Sequence, residues 1–216
     1  MAKIAILDYN AGNLKSVDTA VRHLGGDARV TRDLREIRDA ERLIFPGVGA
    51  AGASMENLHE LGIAEEIQRA FEKGKPILGI CIGCQVIFSE SEEDGGTACL
   101  GLIPGKVIRF RFADDIERKI PHMGWNHVEF RTDMQNAGGL HPVFHGVESG
   151  VEFYFVHSYH PAPDSDDHVQ AHASYGGVKF SAAVACDTLV AVQFHAEKSG
   201  RHGLTILDNF LNWNPS

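Results

Sequence analysis

The chain has 216 residues, of which 44% are hydrophobic and 23% charged, with a formal net charge of -9. This length suffices for one domain with a substantial core, and the acidic balance argues against binding along a nucleic-acid backbone. No apolar run approaches about 18 residues, so we expect no membrane span. Four cysteines are too few for a disulfide scaffold and favour a reducing compartment. We therefore expect a cytoplasmic protein with one domain over residues 1–216.

The first 90 residues alternate between strand and helix patterns. Short apolar runs predict strands, and apolar residues spaced by three or four predict helices between them. The predicted strands are Ile4–Asp8, Ala28–Thr31, Arg42–Phe45 and Ile77–Cys81. The predicted helices are Asn13–Gly25, Asp33–Ala40, residues 54–73 and a helix that follows Cys81 to about Ser89. Repeated β-α units predict an α/β fold with a parallel sheet covered by helices on both faces.

Strand patterns dominate the rest of the chain, where no helix is predicted before the last one. The predicted strands are Lys106–Phe112, Asn126–Phe130, Glu152–His157 and Val169–Tyr175. Val178–Cys186 and Leu189–His195 predict a hairpin that turns at Asp187-Thr188, and a final helix covers Gly203–Trp213. Ligands on parallel sheets bind at the carboxyl ends of strands, where both Cys81 and Pro46–Gly49 fall.

Cys81 lies in the segment Gly79-Ile80-Cys81-Ile82-Gly83, at the end of the fourth predicted strand. This pattern is typical of a sharp strand-to-helix turn that carries a nucleophile at its apex. We expect the flanking glycines to accept strained dihedral angles and to leave room for a substrate. The first N–H groups of the following helix would favour the thiolate, which is the attacking species.

Other interpretations of Cys81 stay open at this point. A free cysteine is most often simply buried, although the glycines and the strand-end position favour a nucleophile. Cys81 and Cys84 also form a C-x-x-C pair, which is typical of a thioredoxin-like dithiol or of half a zinc site. Cys99 and Cys186 stand alone and supply no second pair.

His195 and Glu197 lie two residues apart near the end of the chain. On an extended segment such residues face the same side, so Glu197 is placed to orient the imidazole of His195 as a triad carboxylate does. The chain order of cysteine, histidine and glutamate differs from the order in α/β-hydrolases. The alternative is an ordinary His-x-Glu pair on the surface.

The remaining histidines and the Pro46-Gly47-Val48-Gly49 segment give weaker signals. Three histidine pairs have suggestive spacing, namely His141/His145, His157/His160 and His168/His172. None forms an H-E-x-x-H helix, so we interpret them as loop and surface residues and predict no metal and no cofactor. Pro46–Gly49 is too short for a dinucleotide or Walker loop. It is either a plain turn or a loop that exposes N–H groups near Cys81 as an oxyanion hole.

Together these residues resemble the class I, or triad, glutamine amidotransferases. More narrowly, several segments are similar to the glutaminase subunits of imidazole glycerol phosphate synthases. These segments are Asp8-Tyr9-Asn10-Ala11-Gly12-Asn13-Leu14-Lys15-Ser16-Val17, Pro46-Gly47-Val48-Gly49-Ala50, Pro121-His122-Met123-Gly124-Trp125-Asn126, Tyr154-Phe155-Val156-His157-Ser158-Tyr159 and the C-terminal Gly203–Trp213. The resemblance covers about residues 3–213. It implies a three-layer, flavodoxin-like fold with a mostly parallel central sheet and an antiparallel β extension.

The resemblance implies that the chain hydrolyses L-glutamine to glutamate and ammonia. Cys81 would attack the side-chain amide to give a glutamyl thioester, His195 would shuttle the proton, and Glu197 would hold His195. The N–H groups of Val48 and Ile82 would form the oxyanion hole, once the peptide before Val48 has flipped. The residues implied to hold glutamine are Gly49, Gln85, Ser158 and Tyr159.

The resemblance also implies a partner. The ammonia would pass to a separate (β/α)8-barrel cyclase subunit, which uses it to form imidazole glycerol phosphate and aminoimidazole carboxamide ribonucleotide in histidine biosynthesis. This chain is too short to contain that barrel as well, so we expect a heterodimer. Trp125, Tyr154 and Lys198 match the docking face, and Trp and Tyr are common interface anchors. Losing one oxyanion donor costs about 10²–10³-fold in rate, so the free subunit should be nearly inactive.

Three positions depart from the family pattern. Ala196 stands where proline is usual, Cys84 where methionine is usual, and Ala51 where phenylalanine is usual. None is a triad side chain, but the missing proline ring would loosen the link between His195 and Glu197. A divergent paralogue that serves another pathway, a dithiol redox module and a non-catalytic binding subunit therefore stay as competing hypotheses.

Overall fold

The computed structural model describes residues 3–113, 118–131 and 139–215. Its strands are β1 (Lys3–Leu7), β2 (Asp27–Thr31), β3 (Arg42–Phe45), β4 (Ile77–Ile80), β5 (Phe88–Ser91), β6 (Thr97–Ala98), β7 (Ile103–Arg109), β8 (His122–Phe130), β9 (Val151–His157), β10 (Tyr159–Pro163), β11 (Val169–Tyr175), β12 (Val178–Cys186) and β13 (Leu189–Val192). Its α-helices are α1 (Leu14–His23), α2 (Leu34–Asp39), α3 (Ala51–Glu60), α4 (Ile63–Glu72), α5 (Ile82–Gln85) and α6 (Gly200–Asn212). None of these helices has the length and apolar character needed to cross a bilayer.

The larger sheet has nine strands in the order β2-β1-β3-β4-β13-β12-β11-β8-β9. The first five are parallel, and their order is that of flavodoxin-like sheets. From β13 to β9 every pairing is antiparallel, and β12 and β13 form the predicted hairpin at Asp187. The predicted parallel central sheet and its antiparallel extension are thus confirmed, and together they form one mixed sheet in which the extension adds four strands. A second, four-stranded sheet, β10-β7-β5-β6, was not predicted.

Two apolar clusters, one on each face of the sheet, form the core. Alternate residues of a strand face opposite sides, so in β1 Ile4 and Ile6 join one cluster while Ala5 and Leu7 join the other. Helices α1 and α6 cover the first face, and α2, α3 and α4 cover the second. This is the predicted arrangement of helices on both faces of a sheet.

Two predicted helices differ from those observed. The helix predicted for residues 54–73 is two helices, because Gly62 has a φ of 67° and ends α3 in the left-handed conformation that glycine accepts at a helix C-terminus. The helix after Cys81 ends at Gln85 and gives way to β5. Every residue from Ile82 to Phe88 is buried, so this stretch has no polar face of the kind that a long surface helix presents.

The parallel strands bring four loops to one edge of the sheet. Because β1, β3, β4 and β13 run in the same direction, the segments that follow them leave the sheet on the same side. These segments are residues 8–13, Pro46–Gly49, Cys81 and residues 193–197. The topology therefore collects the predicted site residues at one edge.

Candidate active site

Cys81 forms the apex of the turn between β4 and α5. Its φ of 55° and ψ of −106° are unusual for a residue with a side chain, and its surface is only 5% exposed. The prediction that the flanking glycines carry the strain is wrong, since neither has a positive φ. They are needed for close packing instead. A Cβ on Gly83 would lie 1.9 Å from the Phe45 carbonyl oxygen, and one on Gly79 would lie 2.8 Å from the Gly83 oxygen.

His195 and Glu197 form a buried pair next to this turn. The His195 Nδ1 atom lies 2.8 Å from the Glu197 Oε1 atom, and both side chains are fully shielded from solvent. The segment is not extended as predicted: β13 ends at Val192, and Ala196–Lys198 form a 3-10 turn. The two side chains meet because the chain turns between them. Ala196, without a proline ring, does not prevent this contact.

The electrostatics of His195 favour a charged imidazole. Burial lowers its pKa, but the Cys81 sulfur and the Glu197 carboxylate outweigh burial and raise the pKa to about 9. Nδ1 therefore carries a proton and donates it to Glu197. Nε2 is buried and has no nitrogen or oxygen partner among the described residues. At neutral pH the site thus holds an imidazolium, and because Nδ1 is engaged by Glu197, the hydrogen bond to the Cys81 sulfur that helps to raise the pKa falls to Nε2.

A cavity of about 230 Å³ opens onto Cys81. This is below the 300–1,000 Å³ typical of sites for drug-sized ligands and suits a single amino acid. Its lining includes all seven of the residues predicted for nucleophile, oxyanion and substrate contacts, which are Val48, Gly49, Cys81, Ile82, Gln85, Ser158 and Tyr159. It also includes Glu93, Pro121, Val156 and His157, which the sequence did not indicate.

The loop that carries Val48 is held by Tyr9, a residue not singled out from the sequence. The buried Tyr9 hydroxyl donates to the Pro46 carbonyl at 2.8 Å. Burial, and then the nearby Cys81, raise the pKa of Tyr9 well above its usual value, so it stays a donor. A Cβ on Gly47 would lie 2.0 Å from the Tyr9 oxygen and 2.4 Å from Ile82, which shows how closely the loop packs against α5. The N–H groups of Val48 and Ile82 donate to no described residue.

Two buried glutamines tie the nucleophile turn to β10. The Gln85 amide nitrogen lies 2.9 Å from the Tyr159 carbonyl and 3.0 Å from the Gln193 side-chain oxygen. The Gln193 amide nitrogen in turn lies 4.0 Å from the Cys81 sulfur. Gln193 was missed, although a single polar residue between Val192 and Phe194 is a signal that could have identified it.

A chain of neutral histidines runs from His157 in the cavity lining to His122. Burial lowers the pKa of His157 to about 3 and of His122 to about 4. His157 Nδ1 lies 2.8 Å from the Tyr159 carbonyl, which can only accept, so His157 Nε2 must accept from His122 Nδ1 at 2.9 Å. The prediction that His157 and His160 are loop or surface residues is wrong, since both lie in strands with 5% or less of their surface exposed.

Cys84 lies on α5 and packs in the core cluster on the opposite face of the sheet from that of Cys81. It is fully buried, and burial, followed by the charge of Cys81, raises its thiol pKa well above the usual value. A thiol of this kind does not form the thiolate that a dithiol exchange reaction needs. No group of three or more His, Cys, Asp or Glu side chains in the described parts of the chain is arranged to hold a metal ion.

The three residues predicted for the partner interface lie together on the surface. Trp125 is 54% exposed on β8, and its ring packs edge-on against Tyr154 of β9 with centroids 6.0 Å apart. The Lys198 Nζ atom lies 6.0 Å from the same Tyr154 ring. Met123, at 62% exposure, extends this patch. The Tyr154 carbonyl accepts from the His195 N–H at 2.9 Å, so the patch adjoins the buried pair.

Comparison with known proteins places this geometry in a family. The family model for class-I glutamine amidotransferases matches residues 5–213. The chain is 45% identical to imidazole glycerol phosphate synthase subunit HisH of Thiobacillus denitrificans, over 98% of this chain and 92% of that one. It is 42% identical to the same subunit of Acinetobacter baylyi, over 99% and 100% of the two chains.

Solved structures with less than 25% identity agree on the fold. A crystal structure of a glutamine amidotransferase aligns with a TM-score of 0.67 and 20% identity over 96% of this chain and 98% of that one. The structure of PurLQS from Thermotoga maritima aligns with a TM-score of 0.69 and 19% identity over 98% and 99%. The chain belongs to the class-I glutamine amidotransferases and, within them, to the family of imidazole glycerol phosphate synthase subunit HisH.

Proposed function

We propose that this chain is the glutaminase subunit of an imidazole glycerol phosphate synthase in histidine biosynthesis. The observation that carries the proposal is the buried pair of His195 and Glu197 beside a cysteine at a strained turn, on a cavity sized for one amino acid. The substrate is L-glutamine, and residues 1–216 act as one amidotransferase domain. All four cysteines are free, which fits a cytoplasmic location.

The reaction begins with attack of the Cys81 thiolate on the side-chain amide carbon of glutamine. As the C–S bond forms, the carbonyl oxygen becomes an oxyanion, for which the N–H groups of Ile82 and Val48 are unpaired donors among the described residues. His195, charged at neutral pH, donates its Nε2 proton to the amide nitrogen. The C–N bond then breaks and ammonia leaves, so that a glutamyl thioester and a neutral imidazole remain.

Hydrolysis of the thioester restores the site. Neutral His195 accepts a proton from water at Nε2, and the resulting hydroxide attacks the thioester carbon. Glutamate leaves and Cys81 departs as a thiolate, beside an imidazolium that Glu197 stabilises through Nδ1. Glu197 does not change its protonation in either step, which is the role that a triad carboxylate has.

Residues at the far side of the cavity would fix the two ends of glutamine. The Glu93 carboxylate forms part of the cavity lining, and it accepts a hydrogen bond from the Ala51 N–H at 2.8 Å. Its negative charge would bind the ammonium group of the substrate. Gly49, Gln85, Ser158 and Tyr159 line the same space and would hold the rest of the amino acid.

The exposed patch of Met123, Trp125, Tyr154 and Lys198 would bind a (β/α)8-barrel cyclase subunit that takes up the ammonia. An exposed Trp and Met side by side are typical of an interface, because a monomer gains nothing from leaving them in water. We expect Trp125→Ala to weaken binding of the barrel in calorimetry by at least about tenfold. Val30→Ala is the matched control, since Val30 is 36% exposed on β2 at the opposite edge of the sheet.

The test of the proposed activity is glutamate release by the purified chain, with and without the barrel subunit and its nucleotide substrate. We expect little activity alone, strong activation in the complex, and none after Cys81→Ser. Cys186→Ser is the control, because it removes a sulfur from β12 without touching the cavity. Wild-type turnover in Cys81→Ser, or no turnover in any mixture, would contradict the proposal.

A further inference from the structure

We propose that Asn13 is a positioning residue for the Cys81–His195–Glu197 triad, an inference that rests on the proposed function. The Asn13 side-chain nitrogen lies 2.5 Å from the Glu197 Oε1 atom, the same oxygen that accepts from His195. Asn13 follows β1 at the same edge of the sheet and is 184 residues from Glu197 in the chain. Nothing in the sequence pattern of residues 195–197 points to it.

The chemistry of the contact fixes which amide atom faces the carboxylate. Glu197 Oε1 is an acceptor, so Asn13 must present its NH₂ group to it. The Asn13 nitrogen also lies 3.4 Å from His195 Nδ1, but that nitrogen carries a proton for Glu197 and cannot accept. The contact between the two residues is therefore a packing contact. Asn13 acts on the imidazole through Glu197.

The local structure around Asn13 is unusual in a way that serves this contact. Asn13 is the N-cap residue of α1, a position where an asparagine side chain normally accepts from the first N–H groups of the helix. Here it makes no such bond, and its backbone is left-handed, with a φ of 73°. Both the side chain and the backbone depart from ordinary capping. The departure aims the amide at Glu197.

The Asn13 bond matters because only one of the two carboxylate oxygens of Glu197 is hydrogen-bonded to a described residue. Glu197 Oε2 is buried and has no hydrogen-bond partner among the described residues. A carboxylate held only by His195 could rotate about its last torsion and carry the imidazole with it. The Asn13 bond fixes Oε1 from the α1 side, while His195 approaches from the β13 side. The imidazole is thereby held in the plane that directs Nε2 towards Cys81.

The test compares three variants in the complex of the chain with its barrel subunit. Asn13→Gly removes the amide but keeps the left-handed backbone without strain. Asn13→Asp keeps the shape but replaces the donor by a carboxylate. Asn10→Gly is the matched control, because Asn10 is also left-handed, with a φ of 65°, and its side chain contacts Asn57 and Arg32 but not the triad.

We expect Asn13→Gly to lower kcat for glutamine by about 10- to 100-fold with KM within about twofold, since a misplaced group costs rate and not substrate binding. Asn10→Gly should stay within about twofold of wild type. Asn13→Asp should be the slowest near pH 8, where two carboxylates face each other. Its activity relative to Asn13→Gly should rise as the pH falls, because the introduced carboxyl group, once protonated, again donates to Glu197.

A second readout does not depend on turnover. In wild type, the proton on His195 Nδ1 should give a far-downfield proton NMR signal, which should be lost or moved upfield in Asn13→Gly and kept in Asn10→Gly. An unchanged signal, or equal loss of kcat in Asn13→Gly and Asn10→Gly, overturns the role of Asn13. Absence of wild-type turnover with the signal changed as expected would instead overturn the proposed function alone.

Discussion

Cys81→Ser should lower the pKa of His195. The pKa of His195 is raised from 6.5 to about 9, which corresponds to about 3 kcal/mol of net stabilisation of the imidazolium at about 1.4 kcal/mol per unit. Burial lowers the pKa, so the hydrogen bonds and charges of Cys81 and Glu197 together stabilise the imidazolium by more than that figure. Replacing the sulfur by a neutral hydroxyl leaves Glu197 alone against burial. We expect the pKa to fall by at least about one unit, or about 1.4 kcal/mol.

The assay is a pH titration of the chain labelled with ¹⁵N-histidine, followed by NMR from about pH 5 to 10. His195 is assigned from the signal that disappears in His195→Gln. The signals of the histidines outside the cavity serve as the internal control. A His195 titration near 6.5 in wild type, or an unchanged titration in Cys81→Ser, would show that Cys81 does not raise the pKa of His195.

Three further substitutions test the packing around the cavity. Gly83→Ala should cost about 3 kcal/mol or more in urea unfolding, because the new Cβ would overlap the Phe45 carbonyl; wild-type stability would contradict the close packing. His157→Phe removes a donor to the Tyr159 carbonyl, so unfolding free energy should drop by about 1–3 kcal/mol and the KM for glutamine should rise in the complex; unchanged values would exclude a positioning role. Ala196→Pro should keep activity within about twofold and raise stability by about 0.4–1 kcal/mol, because proline suits the first residue of a helical turn. A tenfold activity loss there would show that the turn cannot accept the ring.

Local patterns predicted the elements that have a clear period or a clear boundary. The strands Val169–Tyr175 and Val178–Cys186 agree with the structure at both ends. The predicted hairpin between β12 and β13 turns at Asp187, which has a left-handed backbone. The two helix boundaries that failed have different causes. Gly62 ends one helix within a continuous apolar pattern, and the fully buried stretch after Cys81 has no period from which a helix or a strand could be chosen.

The contact between His195 and Glu197 was predicted for a reason that the structure does not support. Side chains two apart meet on an extended strand, but here they meet in a 3-10 turn. The burial of His122, His157 and His160 was missed altogether, because a histidine in a strand pattern does not reveal which face is covered. Only the packing of β8, β9 and β10 determines which of these histidines are buried.

The sequence alone predicted three features, because each depends on positions close together in the chain. These are the nucleophile turn, the histidine-glutamate pair and the alternation of strands and helices. The contacts of Tyr9 with Pro46, of Asn13 with Glu197 and of Gln193 with Cys81 could not be predicted in this way, because they form only in the folded molecule. The cause is topological. Parallel strands of one sheet release their loops at the same edge, so residues nearly two hundred positions apart become neighbours through strand order, which no local pattern encodes.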